Sequence, residues 1–152
     1  MENHLGVNHQ LHVLANMSSR RFSEAFLNND ITGKQGGILH YLLWNAGKRE
    51  IYQRDVEKNF SIRRSSVTSL LKKLEDKQYI TRELVEGDAR LKQIVLTPRA
   101  LKLRKSVIQG SYDFEDKLLQ NVSAADIEVW QKVTKQMIAN LSEEKIGSGK
   151  SC

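Results

Sequence analysis

The feature that most constrains this chain is a helical pattern followed by a basic hairpin, within residues 51–97. Between Arg63 and Leu74, four apolar residues recur at helical spacing and form one stripe: Val67, Leu70, Leu71 and Leu74. The opposite face carries only hydroxyl and lysine side chains: Ser65, Thr68, Ser69, Lys72 and Lys73. Small hydroxyl residues and lysines let a helix approach phosphates and base edges, whereas acidic residues would repel a duplex. The pattern therefore predicts a helix that packs on a core and binds DNA.

Positive charge is concentrated in the same part of the chain. The 152 residues carry 24 Lys and Arg against 18 Asp and Glu, a formal net charge of +6. Segment 48–105 alone has a net charge of +8, and the rest of the chain has a net charge of −2. A localised cationic excess is the electrostatic signature of a polyanion site. We therefore expect double-stranded DNA as a partner, with an affinity that falls steeply with salt.

Length and composition favour a single soluble domain in a reducing compartment. A chain of 152 residues is long enough to bury a core, and one domain is the default at this length. It contains no apolar run long enough to span a membrane. Its start, Met1 to His4, lacks the charged and apolar stretches of a secretory signal. Cys152 is the single cysteine, which excludes an internal disulfide. We expect a cytoplasmic protein.

Periodicity along the whole chain predicts helices around one β-hairpin. The helices are expected at about 7–28, from a Thr32 cap to Gly47, at 52–59, at 63–77, from Pro98 to about 119, and at 123–142. Two strands, 79–85 and 92–96, flank a turn at 86–90 with suitable turn residues. Ser123 and Asp126 resemble a capping box at the last helix. The small polar residues of 147–152 predict mobility, and we expect a flexible tail over 143–152.

These elements, in this order, carry a family resemblance. Its pieces are Ile31-Thr32 with Gln35, Ile38, Leu39 and Leu42; Ser65-Ser66-Val67-Thr68 with Leu70, Leu71 and Leu74; Ile80-Thr81-Arg82; Asp88-Ala89-Arg90; and Leu96-Thr97. Over nearly its whole length the chain resembles the MarR (multiple-antibiotic-resistance regulator) family of bacterial winged helix-turn-helix transcription factors. The resemblance implies a mainly α fold with a small β-hairpin wing, in a single domain over 1–142. About 31–97 would be the DNA-binding lobe, and the N- and C-terminal helices at about 5–29 and 98–142 would dimerise.

The resemblance also implies which residues contact DNA. The major-groove and phosphate contacts of the recognition helix would be Arg63, Arg64, Ser65, Ser66, Thr68, Ser69, Lys72 and Lys73. Arg90 matches the arginine at the wing tip and Asp88 the acid that orients it, while Arg82 and Lys92 would clamp phosphates beside the hairpin. The implied function is a homodimeric repressor that releases a pseudo-palindromic operator when a small amphipathic or phenolic effector binds. No cofactor is implied, and the residues that bind the effector stay open.

Three positions depart from the family pattern. Gln78 replaces a glycine that ends the recognition helix, so a left-handed backbone is expected at a residue other than glycine. Tyr52 replaces the usual Ser or Thr cap of the third helix, and Ala100 replaces a glycine after the Leu-Thr pair. These changes affect local geometry and remove no DNA contact.

Other interpretations remain open at this point. The charged helix face could be only solvated, and Asp88 with Arg90 could be an ordinary surface ion pair. A winged helix that binds another protein would need apolar anchors on that face. An enzyme is disfavoured by the absence of a phosphate loop, a nucleophile elbow or metal-ligand spacing. His4, His9 and His12 without nearby thiols are a weak metal site, and Cys152 in a flexible tail is a weak redox sensor.

Overall fold

The computed structural model describes residues 6–24, 30–31 and 33–143 of the chain. Within these residues it forms helices and a small sheet in the order α1 (Val7–Ser23), α2 (Gly33–Asn45), β1 (Ile51–Tyr52), α3 (Gln53–Phe60), α4 (Arg64–Asp76), β2 (Ile80–Val85), β3 (Asp88–Leu96), α5 (Pro98–Leu101), α6 (Arg104–Leu118) and α7 (Ala124–Glu143). The predicted mainly α fold with a β-hairpin wing is confirmed. The predictions for His4, the Thr32 cap and the tail ending at Cys152 lie outside the described residues.

The chain divides into two compact units, one ending at Phe114 and one beginning at Glu115. In the first unit, one hydrophobic core joins α2, α3, α4 and the sheet. Val67, Leu71 and Leu74 are fully buried there and Leu70 is half-buried, which confirms the apolar stripe predicted for the recognition helix. Burial of this stripe fixes α4 along its length and leaves its other face exposed to solvent.

The sheet has three antiparallel strands in the order β1-β3-β2. Ile51 of β1 pairs with Ile94 of β3, and this two-residue strand was not predicted because it is too short to show periodicity. β3 begins at Asp88 instead of Lys92, so the predicted turn at 86–90 was too long. Val85 pairs with Asp88 across a two-residue loop, and Gly87 adopts a positive φ (87°) at the second loop position, which glycine does without steric cost.

The helix predicted from Pro98 to about 119 is broken in two. Thr97 Oγ1 accepts a hydrogen bond from the Ala100 amide and caps α5, as a first-turn proline favours. The Leu103 amide then donates a hydrogen bond to the Ala100 carbonyl at 2.9 Å. This bond spans three residues, as in a 3-10 helix, and it ends α5 before α6 begins. Ala100 is fully buried and Leu103 packs against the core, so the break lets both side chains reach the interior.

Two of the departures from the family pattern are accommodated locally. Gln78 adopts φ 62°, the left-handed conformation expected there, and its carbonyl accepts a bond from Thr97 Oγ1 at 2.7 Å. Tyr52 lacks a capping side chain, but its amide donates to the Asp55 carboxylate at 2.8 Å, which provides the reciprocal half of a capping box.

Exposed apolar side chains cover one helix of each unit. In the first unit, α1 has no buried residue, and its exposed apolar side chains are Val7, Leu11, Val13, Leu14 and Met17. In the second unit, Ser123 Oγ accepts from the Asp126 amide at 3.1 Å and starts α7, as predicted. The exposed apolar side chains of α7 are Val129, Trp130, Val133, Ile138 and Leu141. None of the helices in the described part of the chain combines the length and apolar character needed to cross a lipid bilayer.

Candidate nucleic-acid interface

The exposed face of α4 presents every side chain that the sequence predicts for the recognition helix. These residues are all exposed to solvent: Arg63, Arg64, Ser65, Ser66, Thr68, Ser69, Lys72 and Lys73. Arg63 lies just before the first helical residue in an extended conformation. The eight side chains comprise four cations and four hydroxyls, and the one exposed carboxylate of α4, Asp76, lies at its last residue, so the rest of the face can approach phosphate groups and base edges closely.

A second helix supports this face from below. α3 packs against α4, and Gln53 at its first turn donates from Nε2 to Thr68 Oγ1 at 2.8 Å. The Thr68 hydroxyl in turn donates to the Arg64 carbonyl at 2.9 Å. Sequence reasoning did not find Gln53, because the contact joins residues 15 positions apart on two different helices.

A groove of about 260 Å³ lies between the α3–α4 face and the wing. Its lining consists of Tyr52, Gln53, Arg54, Glu57, Arg64, Thr68, Arg90, Leu91 and Lys92. The fold therefore brings together four residues that the sequence predicted separately, and it adds Arg54, which was missed. With four cations and one carboxylate, the groove is a concave cationic surface that continues the exposed face of α4.

Arg90 lies at the irregular end of the hairpin. The pairing shifts from Leu84 with Lys92 to Val85 with Asp88, so β3 has extra residues there, and such a bulge re-aims side chains. Asp88 Oδ1 accepts from the Arg90 main-chain amide at 2.9 Å. The resemblance implied a carboxylate that orients the guanidinium, whereas this contact holds the backbone of the wing tip.

Arg82 makes a contact inside the protein that the resemblance did not imply. Its Nε and Nη2 donate to Glu75 Oε2 at 3.0 and 2.6 Å, and its amide donates to Glu75 Oε1 at 3.1 Å. The Arg82 side chain is only 16% exposed. These bonds hold the pKa of Glu75 below its ordinary value. Arg82 therefore ties β2 to the end of α4, because its guanidinium is paired with the Glu75 carboxylate.

Two further cavities lie in the first unit, away from the cationic groove. One is apolar, about 360 Å³ in volume, and has three aromatic side chains in its lining, Phe22, Phe60 and Phe114. The His40 ring packs edge-on against the Phe22 ring, with 5.5 Å between the ring centres. Burial lowers the pKa of this histidine. The other cavity, about 500 Å³, combines Trp44 and Tyr112 with four cations: Lys48, Lys102, Arg104 and Lys105. Either cavity is large enough for a small aromatic molecule.

Of the three histidines singled out by the sequence, His4 lies outside the described residues. His9 and His12 lie exposed on α1. Within the described ranges, no group of three or more histidine, cysteine or carboxylate side chains is placed to hold a metal ion.

Comparison with known proteins places this arrangement in a family. Residues 29–91, which include α2, α3, α4 and most of the wing, match the model of the MarR family. The transcription regulator MarR from Oenococcus oeni PSU-1 is 30% identical, with a TM-score of 0.76 over 88% of this chain and 99% of that one. The chain belongs to the MarR family of winged-helix transcriptional regulators. Among the curated proteins, no sequence matches it.

Two more distant MarR-like structures share the fold. S. aureus MepR, solved as a DNA complex, is 24% identical with a TM-score of 0.78, over 89% of this chain and 98% of that one. The heme sensor protein PefR from Streptococcus agalactiae, solved with heme, is 20% identical with a TM-score of 0.61, over 97% of this chain and all of that one. At these identities the likeness establishes the MarR architecture alone.

Proposed function

We propose that this MarR-family protein is a homodimeric, ligand-responsive repressor that binds a pseudo-palindromic operator in bacterial DNA. The observation that carries the proposal is the cationic groove, where Arg64 and Thr68 of the recognition helix meet Arg90 and Lys92 of the wing. In this arrangement α4 enters the major groove, and the wing reaches the flanking minor groove or backbone. Because the operator that it binds is chromosomal DNA, the protein would act in the cytoplasm.

The remaining predicted contacts divide into two roles. Arg63, Lys72 and Lys73 are exposed and bind phosphates, and Ser65, Ser66 and Ser69 permit close approach to base edges. Arg54 joins the phosphate contacts, and Arg82 leaves them because it is paired with Glu75. Asp88 acts through the backbone of the wing tip and not through a direct DNA contact.

Dimerisation is supported by the exposed apolar faces of α1 and α7. Exposed apolar side chains at helical spacing are stabilised when a second copy covers them. In this proposal, residues at about 5–29 and 98–142 dimerise, and residues at about 31–97 form the DNA-binding lobe. Two recognition helices related by a two-fold axis would read half-sites about one helical turn apart, roughly 34 Å.

Control by a ligand is supported by the apolar and the aromatic–cationic cavities. The apolar cavity touches α2, and the exposed wall of the other includes the cation of Lys48, 4.4 Å from the centre of the Trp44 ring. An amphipathic or phenolic molecule suits either lining, and the similar PefR was solved with heme. A ligand that binds one spacing of the recognition helices better than the other shifts the protein away from its DNA-bound form.

Selection of bound sites from random duplexes, with the purified full-length chain, tests the proposal. We expect inverted repeats whose half-site centres are 10–10.5 base pairs apart or a multiple of that distance. A protein-interaction module would enrich no duplex, and enrichment of single, unrepeated sites would contradict the dimeric arrangement. The lining of the groove favours DNA over a protein partner, because four of its nine residues are cations and Tyr52 and Leu91 are its one aromatic and one aliphatic residue.

A further inference from the structure

The hydrogen-bond donors of two side chains in the cationic groove are used up inside the protein. Thr68 has a single O–H, which points to the Arg64 carbonyl. Gln53 has two N–H groups on Nε2, and these bond to Thr68 Oγ1 at 2.8 Å and Glu57 Oε1 at 3.3 Å. Since the partners of Nε2 are a carboxylate and a hydroxyl oxygen whose proton is already donated, the nitrogen of the amide must face them.

On Thr68, Gln53 and Glu57, these bonds leave only acceptor atoms without a partner inside the cluster. Thr68 keeps one lone pair on Oγ1, Gln53 keeps its Oε1, and Glu57 contributes carboxylate oxygens. Thr68 is exposed on α4, whereas Gln53 and Glu57 are half-buried behind it on α3. Thr68 is therefore the member of this acceptor cluster (Gln53, Glu57 and Thr68) best placed to touch a base, and Gln53 positions it.

We propose that the acceptor cluster reads the amino group of a cytosine in the major groove. Cytosine presents a donor, N4, on that edge, whereas adenine places an acceptor, N7, beside its donor. Guanine presents two acceptors, and thymine presents one acceptor and a methyl group. An acceptor cluster therefore satisfies cytosine and faces at least one acceptor on every other base. This inference rests on the proposed DNA binding and adds the base that the helix selects.

The cations around the cluster make the readout possible. Arg54, Arg64, Arg90 and Lys92 line the same groove, and their charge offsets that of Glu57 where the duplex approaches. Arginine and lysine contacts to phosphates fix the register of a protein on DNA but carry no sequence information. Register then comes from the cations and base choice from the acceptor cluster.

Thr68→Val tests the readout, because valine keeps the shape of threonine and removes the acceptor. The wild-type operator is first obtained by selection, and each half-site position is then varied in turn. At one C·G pair, we expect wild type to bind the operator about ten-fold or more tightly than operators with another base pair there. Thr68→Val should bind all of these operators with almost the same affinity. Thr81→Val, an exposed threonine of β2 outside the groove, is the matched control.

Base analogues show which partner of that C·G pair is read. Replacing the cytosine by 2-pyrimidinone removes the amino group and should weaken wild type about ten-fold relative to Thr68→Val. Replacing the guanine by 7-deazaguanine removes N7 and should leave both proteins unchanged.

Gln53→Ala tests the positioning role through a double-mutant cycle. The change should reduce discrimination at the same C·G pair in the wild-type background and have no further effect in the Thr68→Val background. A merely structural role would lower affinity at every position in both backgrounds. Gln109→Ala on α6, which removes a similar exposed bond to Asp113, is the control.

Several outcomes overturn the inference. The first is that the base pair at which Thr68→Val loses its preference is A·T. The second is that 7-deazaguanine lowers the affinity for the operator. The third is that Thr68→Val still binds the operator and keeps its base preference at every position. A wild-type chain that selects no duplex would overturn the proposed function together with this readout.

Discussion

Arg82 and Arg90 belong to the same hairpin, but their surroundings give them different roles. Arg82 is tied to Glu75 by three hydrogen bonds, whereas Arg90 is exposed at the wing tip. The sequence could not separate them, because the partner of Arg82 lies on α4 and is brought to it only when the hairpin packs. We therefore expect Arg82 to act on the stability of the fold and Arg90 to act on DNA binding.

The first prediction concerns the pH dependence of the Glu75–Arg82 pair. The pKa of Glu75 is lowered in the folded protein. The stabilisation is therefore fully present at pH values above the ordinary pKa of glutamate, about 4.3. It is lost as the pH falls through the lowered pKa of the folded state. Glu75→Gln should reduce the free energy of unfolding by roughly 1 kcal/mol at pH 7, since the Glu75 side chain is 33% exposed.

Urea denaturation at a series of pH values measures this difference. The difference in the free energy of unfolding between wild type and Glu75→Gln should decrease at acidic pH. Glu86→Gln, in the exposed hairpin loop, should have the same free energy of unfolding as wild type. A gap that stays constant from pH 7 to pH 3 would contradict the assignment.

Among the helices and strands, the sequence predicted those with a long hydrophobic periodicity. It missed the short elements that form only through contacts with other parts of the chain. The buried stripe of α4 and the start of α7 were correct, since both follow from local patterns. β1 has two residues and exists only by pairing with β3. The break after Leu101 and the early start of β3 also depend on packing and pairing. Short or bent elements of this kind leave no periodicity to detect.

The second prediction uses the turn that follows α4. Gln78 has φ 62°, which costs a residue with a Cβ about 1–2 kcal/mol, while glycine pays roughly 0.5–1 kcal/mol in backbone entropy. Since the Gln78 side chain is exposed, Gln78→Gly should stabilise the protein by about 0.5–1 kcal/mol and raise its Tm. In the extended strand β3, Gln93→Gly should lower the Tm instead. A lower Tm for Gln78→Gly would show that this turn is not strained.

At the scale of the whole molecule, charge segregation predicted the kind of ligand but not the geometry of the site. Segment 48–105 holds all of the excess positive charge, and the fold gathers part of it around one groove. Gln53 and Arg54 were missed because they precede the recognition helix and reach it only through packing of α3 on α4. The assignment to the MarR family came from spaced short motifs and is confirmed by the comparisons. The individual DNA contacts remain predictions.

The third prediction concerns the exposed face of α7. The Trp130 side chain is 52% exposed, and we expect the second copy of the chain to cover it. Trp130→Glu should therefore dissociate the dimer and weaken operator binding at least ten-fold, because each half-site would be bound alone. Sedimentation equilibrium measures the change. Gln131→Glu, an exposed neighbour with the same change in charge, should remain dimeric. A dimeric Trp130→Glu variant would place the interface elsewhere.

A salt titration of binding to the selected operator shows whether the cationic groove holds DNA through its charge. The logarithm of the association constant should fall linearly with the logarithm of the salt concentration, with a slope of about −0.9 for each phosphate neutralised. Arg90→Ala should weaken binding strongly and make the slope shallower by roughly 1, while folding and dimerisation stay intact. Arg82→Ala should leave the slope unchanged. No binding to any duplex at low ionic strength, or an Arg90→Ala variant with unchanged affinity and slope, would contradict a cationic groove built to hold DNA.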